Sequence, residues 1–295
     1  MWATLTPMSE LQPQVHRSHL GAIFRPQNPP EDFIRAAKAA ESAGLHELWV
    51  WEDCFLEGGL TSAAAMLGAT ERLTIGLGLI PVPLRNVAVL AMELATLQRM
   101  FPGRLRVGVG HGVQDWMGQV GARVTSPLSL MREYVTALKR LLNGDTVSMK
   151  GGYITLNEVA LDWPPSERMP ILVGAIGPKT LQLAGELADG VLLDADLTVS
   201  AAEEALTICH QARKDAGVSD EFDAVMYQRY YRGVDASAEL RREVKEGGLE
   251  AALTEDSGVS ERIDELFSVG FQTVVLLPSA NDPDPIDFLA HVTKL

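Results

Sequence analysis

Three short stretches hold residue types that can do chemistry. Glu52-Asp53-Cys54 sets two carboxylates beside a thiol. A carboxylate there can accept a hydrogen bond or move a proton, although acidic loop residues also serve simply to cap the element that follows. His111 stands between Gly110 and Gly112, which leave its flanks open. An imidazole so placed can touch a cofactor or substrate and exchange a proton. The run Gly174-Ala175-Ile176-Gly177-Pro178-Lys179-Thr180 has the form of an anion site. Its glycines bare backbone N–H groups at a helix start, the helix dipole adds partial positive charge, and Lys179 and Thr180 add a charge and a hydroxyl. The same run also fits an ordinary turn with Pro178 at the first helical position, and it lacks the Walker pattern of nucleoside triphosphate sites. Trp49, Trp51 and Trp116 can stack on a planar ligand or pack, and Arg25 and Trp116 are the candidates for substrate contact. Cys54 and Cys209 show no metal-ligand spacing, and no metal is expected.

These residues need a frame that brings them to one place. Thr74–Pro81 and Arg106–Gly112 alternate glycine with bulkier residues at the strand period of two, so their glycines share one face. Glycine weakens a strand, which suggests either that a flat ligand approaches the backbone closely or that these are tight-packing positions in a crowded barrel. Apolar runs recur at 20–24, 47–51, 73–80, 105–110, 171–175, 190–193, 223–230 and 272–277. Helical segments follow at 31–43, 61–69, 86–100, 127–142, 178–187, 200–216, 258–269 and 285–294. Ser126 with Pro127, and Asp284 with Pro285, mark two helix starts, and Gly44 sits at a helix end. Eight strand-then-helix units of about 37 residues predict an α/β fold of the (β/α)8 TIM-barrel type. A doubly wound open sheet is the competing reading. It is weakened because the Gly108-x-Gly110-x-Gly112 pattern lies in the fourth unit and lacks the dinucleotide fingerprint spacing.

A single barrel domain is expected over 1–295, with an N-terminal arm at 1–18. A small hairpin at 144–168, after the fourth helix, turns at Gly151-Gly152. The hairpin and the Glu-rich stretch 236–256 are the expected covers of the site. In a barrel of this kind the site lies at the carboxyl ends of the strands. That adds Asp194, Asp196 and Arg229–Arg232 to the residues already named.

The chain has 295 residues, 46% of them hydrophobic, and a net charge of −14. The acidity, with no basic cluster to offset it, argues against nucleic acid or an anionic membrane as partner, and no apolar run approaches membrane-spanning length. A cytoplasmic, reducing compartment is expected from the two cysteines and the absence of a signal-peptide pattern, and the partner expected is a small-molecule substrate.

Taken in order, Glu47-Leu48-Trp49-Val50-Trp51-Glu52-Asp53, Leu73-Thr74-Ile75-Gly76-Leu77-Gly78, Val87-Ala88-Val89-Leu90-Ala91 with Leu94-Ala95-Thr96-Leu97, and Pro102-Gly103-Arg104 leading into Val107-Gly108-Val109-Gly110-His111-Gly112 resemble the luciferase-like monooxygenase superfamily. Val173-Gly174-Ala175, Ala188-Asp189-Gly190-Val191 and Gly270-Phe271-Gln272-Thr273-Val274-Val275-Leu276 extend the resemblance over about 18–294. Within it the sequence is most similar to the branch that uses the deazaflavin coenzyme F-420. The resemblance implies a hydride-transferring oxidoreductase, a homodimer or larger oligomer, and a cis peptide at Gly78-Leu79 against which the ring lies. It further implies that Asp53 contacts the ring or its hydroxyl, that Gly110, His111 and Gly112 flank the cofactor, and that Gly177, Pro178, Lys179 and Thr180, near Gly174, hold its phosphate. Cys54 and Val113 stand where the sugar-phosphate dehydrogenases of that branch carry a catalytic His and Glu, which argues against that reaction here. The alternatives are an oxygen-using monooxygenase with flavin mononucleotide (FMN), and a non-catalytic barrel that binds a flavin-like compound.

Overall fold

The computed structural model describes residues 19–244, 248–255, 257–282 and 284–295. The arm expected at 1–18 lies outside them. Eight parallel strands form a closed barrel: β1 (His19–Ile23), β2 (Glu47–Val50), β3 (Thr74–Pro81), β4 (Leu105–Gly110), β7 (Ile171–Gly174), β8 (Gly190–Leu193), β9 (Asp223–Tyr231) and β11 (Thr273–Leu277). They pair in that order, and β11 returns to β1 with Thr273 opposite His19. Outside lie α1 (Phe33–Ala43), α2 (Gly59–Ala69), α3 (Val87–Met100), α5 (Pro127–Leu142), α6 (Pro178–Leu187), α7 (Val199–Asp215), α9 (Val259–Val269) and α10 (Pro285–Val292). Ser126 and Asp284 cap α5 and α10 as expected, and Asn86 and Thr198 cap α3 and α7 in the same way.

Most of the apolar core fills the layer between strands and helices. A second, smaller cluster fills the barrel axis: Ile23, Trp49, Leu172, Leu192, Val225, Tyr227 and their neighbours. It explains the glycines of β3 and β4. A Cβ on Gly76 would stand 2.0 Å from the Trp49 indole, and one on Gly78 would stand 2.1 Å from the Tyr227 hydroxyl. Close approach is needed there, but by the chain's own rings, which meet edge to face with centroids 6.0 Å apart. The flat-ligand reading of Gly76 therefore gives way to packing.

The amino ends of the strands are closed by an ionic cluster. Arg106 donates two hydrogen bonds to Glu47 (2.7 and 2.8 Å), one to Thr273 (2.6 Å) and one to Asp223. Trp49 donates its indole N–H to Glu47 at 2.8 Å, and the Arg106 guanidinium lies over its ring. These buried charges answer one another, which is the condition for placing them there.

Two loops hold structure that the sequence pattern shows only in part: 236–256 reads as helical with a loose loop, which α8 (Ala236–Glu243) bears out, whereas nothing in the pattern announces α4 (Gln114–Gln119) or the two-residue β10 (Leu253–Thr254). The segment after β4 forms α4, too short for a helical period to register. The 236–256 stretch contains α8 and β10, which adds to β9. Glu243, at the end of α8, accepts hydrogen bonds from Arg25, Ser279 and the Tyr231 hydroxyl, so this end of α8 lies against loops at the strands' carboxyl ends. The hairpin is β5 (Val147–Lys150) with β6 (Thr155–Val159). It is fastened rather than free: Glu133 of α5 accepts hydrogen bonds from the N–H groups of Gly152, Tyr153 and Ile154 at 2.8–2.9 Å, and Val147 and Ile154 join the core. None of its residues borders the cavity described next, so it serves as decoration and not as a lid.

Candidate active site

At the carboxyl end of the barrel the strand-following loops surround a cavity of about 470 Å³. Its floor is Leu79. The Gly78–Leu79 peptide is cis, as the resemblance implies, and the pairing of β3 with β4 shifts register there. The Leu79 side chain stands over two neighbouring strands: a Cβ on Gly110 or on Gly174 would lie 2.3 or 2.4 Å from it. Those glycines make room for the floor of the site rather than for a ligand directly, and Gly110 is buried beneath it. A second cis peptide, Cys54–Phe55, shapes the loop after β2 and has no sequence signal.

The acidic pair after β2 divides its work. Glu52 accepts a hydrogen bond from the Gly59 N–H at the start of α2 and pairs with Arg85 at 2.8 Å, which is the capping role. Asp53 borders the cavity and accepts the Trp51 indole N–H at 2.8 Å. Burial raises its pKa above the usual 3.8, against the opposing influence of the Trp51 bond and the Arg25 charge. Trp51 and Trp116 border the cavity, whereas Trp49 is fully buried below it.

Across the floor, His111 Nε2 lies 3.1 Å from Thr180 Oγ1 of α6, and its buried Nδ1 has no hydrogen-bond partner. Burial lowers its pKa from 6.5, against a backbone contact at Pro127, so the ring is neutral at neutral pH. Nδ1 is closed to solvent, so the ring can meet a ligand only through its cavity-lining surface. Gly112, Gly174, Gly177 and Thr180 also border the cavity. Pro178 and Lys179 do not: both are exposed on the first turn of α6.

Arg25 and Trp116 border the cavity. Arg25 donates to the Pro278 carbonyl (2.9 Å) and to Glu243 (3.1 Å). Asp194 and Arg229 occupy the wall opposite β2 to β4, and Arg229 pairs with Asp196 at 2.6 Å. Tyr227, which donates to the Gly78 carbonyl at 2.8 Å, together with Leu192 and Leu277, was not anticipated. The available signal was the period-two alternation of Tyr227 with Arg229, which puts both on the inner face of β9. Among the described residues no group of three or more His, Cys, Asp or Glu could hold a metal ion, and no helix is long and apolar enough to cross a membrane.

A family model described as luciferase-like monooxygenase matches residues 9–286. A 5,10-methylenetetrahydromethanopterin reductase of Methanolobus tindarius is 28% identical over 217 residues, covering 74% of this chain and 66% of the relative. An F-420-dependent glucose-6-phosphate dehydrogenase of Amycolatopsis mediterranei (strain U-32) is 30% identical over 177 residues, covering 55% of this chain and 53% of the relative. The matches thus span two thirds or less of these relatives' lengths. Among solved structures, an F-420-dependent secondary alcohol dehydrogenase in complex with an F-420-acetone adduct superposes with a TM-score of 0.81 at 24% identity, over 94% of this chain and 98% of that one. A type II Baeyer-Villiger monooxygenase component in complex with FMN, from Pseudomonas putida, gives 0.74 at 17% identity, over 94% and 97%. At these identities the structural likenesses establish the barrel fold.

Proposed function

Because the chain belongs to the luciferase-like monooxygenase family, we propose that it is a coenzyme F-420-dependent oxidoreductase that moves a hydride between the deazaflavin and a small organic substrate. The observation that carries this reading is the pairing of an apolar floor, Leu79, with a raised-pKa carboxyl, Asp53, on one side and a helix start carrying Thr180 beside His111 on the other. The names of the relatives above support the choice of cofactor.

The residues present suit such a group. Leu79 and Gly174 would lie under its ring, Asp53 beside the ring's polar edge, and His111 and Gly112 along its flank. Gly177 and Thr180, at the start of α6, would meet its phosphate, with Lys179 adding charge from outside. When bound, the deazaflavin supplies or takes up the hydride. The chain's residues do the rest. Asp53 keeps its proton to higher pH than an ordinary aspartate, so it can release to the substrate the one proton that balances a hydride addition. Trp51 fixes the Asp53 carboxylate. His111, neutral, donates or accepts a hydrogen bond without adding charge. Leu79 and Trp116 exclude water from the reacting face. We further assign the chain to one barrel domain over 1–295, working as a homodimer or larger oligomer in the cytoplasm; its two unpaired cysteines suit a reducing compartment.

FMN with oxygen is the second reading, favoured by the FMN-bound neighbour. Titration of the protein with oxidised F-420 and with FMN, followed by fluorescence, separates the two. Micromolar binding of F-420 with FMN weaker is the expected result. Binding of FMN alone would replace the deazaflavin reading with the monooxygenase one.

A further inference from the structure

Building on the deazaflavin reading of the cavity, we infer that its substrate is an uncharged molecule, an apolar frame bearing one reducible carbonyl or conjugated alkene, and not a phosphate ester or carboxylate. The charges on the wall point to this. Arg25 pairs with Glu243, Arg229 with Asp196, and Glu52 with Arg85. The two charged side chains left on the wall, Asp53 and Asp194, are both acids, and neither forms a salt bridge with a described residue. Asp53 accepts the Trp51 N–H, and Asp194 accepts the backbone N–H of Ala195. Each guanidinium is thus already answered by a carboxylate, and the surplus is negative. An anionic substrate would lose its water, meet acidic groups that no cation answers, and have to displace an existing ion pair to gain a cation.

Apart from the polar atoms of His111, Thr180 and Tyr227 the remaining wall is mostly apolar, and exposed apolar residues stand on the loops beside the cavity. Val113 borders the cavity and is 47% exposed, while Phe55 and Leu56, on the loop after β2, are 64% and 52% exposed. Both loops stand on the side of the mouth next to Leu79 and Pro81. Exposed apolar residues gathered at the mouth of a cavity mark a surface that something covers. Small-molecule pockets run from about 300 to 1,000 Å³, so a cavity of about 470 Å³ that must also seat a tricyclic ring leaves little interior for a second molecule. The reducible group would sit inside beside Asp53, and the apolar frame would extend over Val113. Residues Val113 and Asp194 then set specificity, one by attracting an apolar frame and the other by repelling anions.

Three probes of one frame test this on the full chain: cyclohexenone, a pentyl-substituted cyclohexenone, and a carboxylate-substituted cyclohexenone. Binding is read by quenching of indole fluorescence, with and without F-420, whose own binding is followed separately by its fluorescence. The pentyl compound is expected to bind roughly tenfold or more tightly than either of the others. Val113→Asp, at an exposed position, should remove most of that advantage, and Asp194→Asn should strengthen binding of the carboxylate several-fold. Carboxylate binding as tight as that of the pentyl compound, or variants that leave the ranking unmoved, would overturn the assignment. Failure of F-420 to bind would instead remove the deazaflavin reading, and the ranking measured without cofactor would still decide the chemistry of the cavity.

Discussion

Strand β2 and the loop that follows it carry the same device twice. At the amino end Trp49 donates its indole N–H to Glu47, and at the carboxyl end Trp51 donates to Asp53, both at 2.8 Å. The surroundings differ. Glu47 also receives two bonds from Arg106, which goes on to Thr273 and Asp223, so the lower pair is part of a closed ionic network. Asp53 has no such partner; Arg25 is occupied by Glu243 and the Pro278 carbonyl, and burial pushes the Asp53 pKa up. One end of the barrel uses a tryptophan–carboxylate pair for stability, and the other leaves its pair without a cation. An answered charge holds the fold, and an unanswered one is available for chemistry.

The largest effect that could break this contrast is at the lower end. Arg106→Leu leaves Glu47 and Asp223 facing each other without a cation, and about 3–5 kcal/mol of unfolding free energy should be lost in a denaturant titration. A loss below about 1 kcal/mol would mean the network is not closed as described.

The upper end should behave in the opposite way. Asp53→Asn keeps an acceptor for Trp51 but removes the proton, so turnover should fall by about a hundredfold or more. Stability should hold or rise. A carboxyl whose folded pKa lies above its unfolded value binds more protons folded than unfolded, and stability is then lost as pH climbs from about 3.8 through the raised folded value. At neutral pH the variant escapes that loss, which thermal melts at pH 7 and pH 4 would reveal. A variant less stable at pH 7 than the parent would put Asp53 in the structural class with Glu47.

The smallest effect belongs to His111. Its folded pKa lies below the ordinary 6.5, so the unfolded chain binds more protons over that interval. Stability rises with pH up to about 6.5 and is lost as pH falls through the folded value. His111→Gln should flatten the stability profile below pH 6.5 and change it little above. An unchanged profile would show that the imidazole titrates alike in both states.

The barrel itself was legible because its strands are near-continuous apolar runs punctuated by caps. Ser126-Pro127 and Asp284-Pro285 announce α5 and α10 with no help from tertiary contacts. The short α4 and β10 were not legible, since six helical residues and two strand residues are too few for a period to show. Within the site, the sequence pointed to Asp53, His111, Gly112, Gly174, Gly177 and Thr180 as candidates, and the fold brings all of them to one cavity. It offered no way to separate Glu52 from Asp53, or Thr180 from Lys179. Those distinctions depend on which way adjacent side chains point.

What the sequence determined alone was local and periodic: eight strands, their helices, and the loop ends where chemistry could sit, because a strand's period and a helix's cap are written in neighbouring residues. The tertiary structure decided everything that depends on distant partners. Gly78 is a glycine because a Tyr227 hydroxyl 149 residues later needs its place, and Glu47 is structural because Arg106 and Asp223 converge on the barrel's lower end. Asp53 remains free because Arg25 is taken by Glu243, a choice made by where α8 ends. Charge neutralisation and ring packing act through space, and only the closed barrel sets which residues face each other across it.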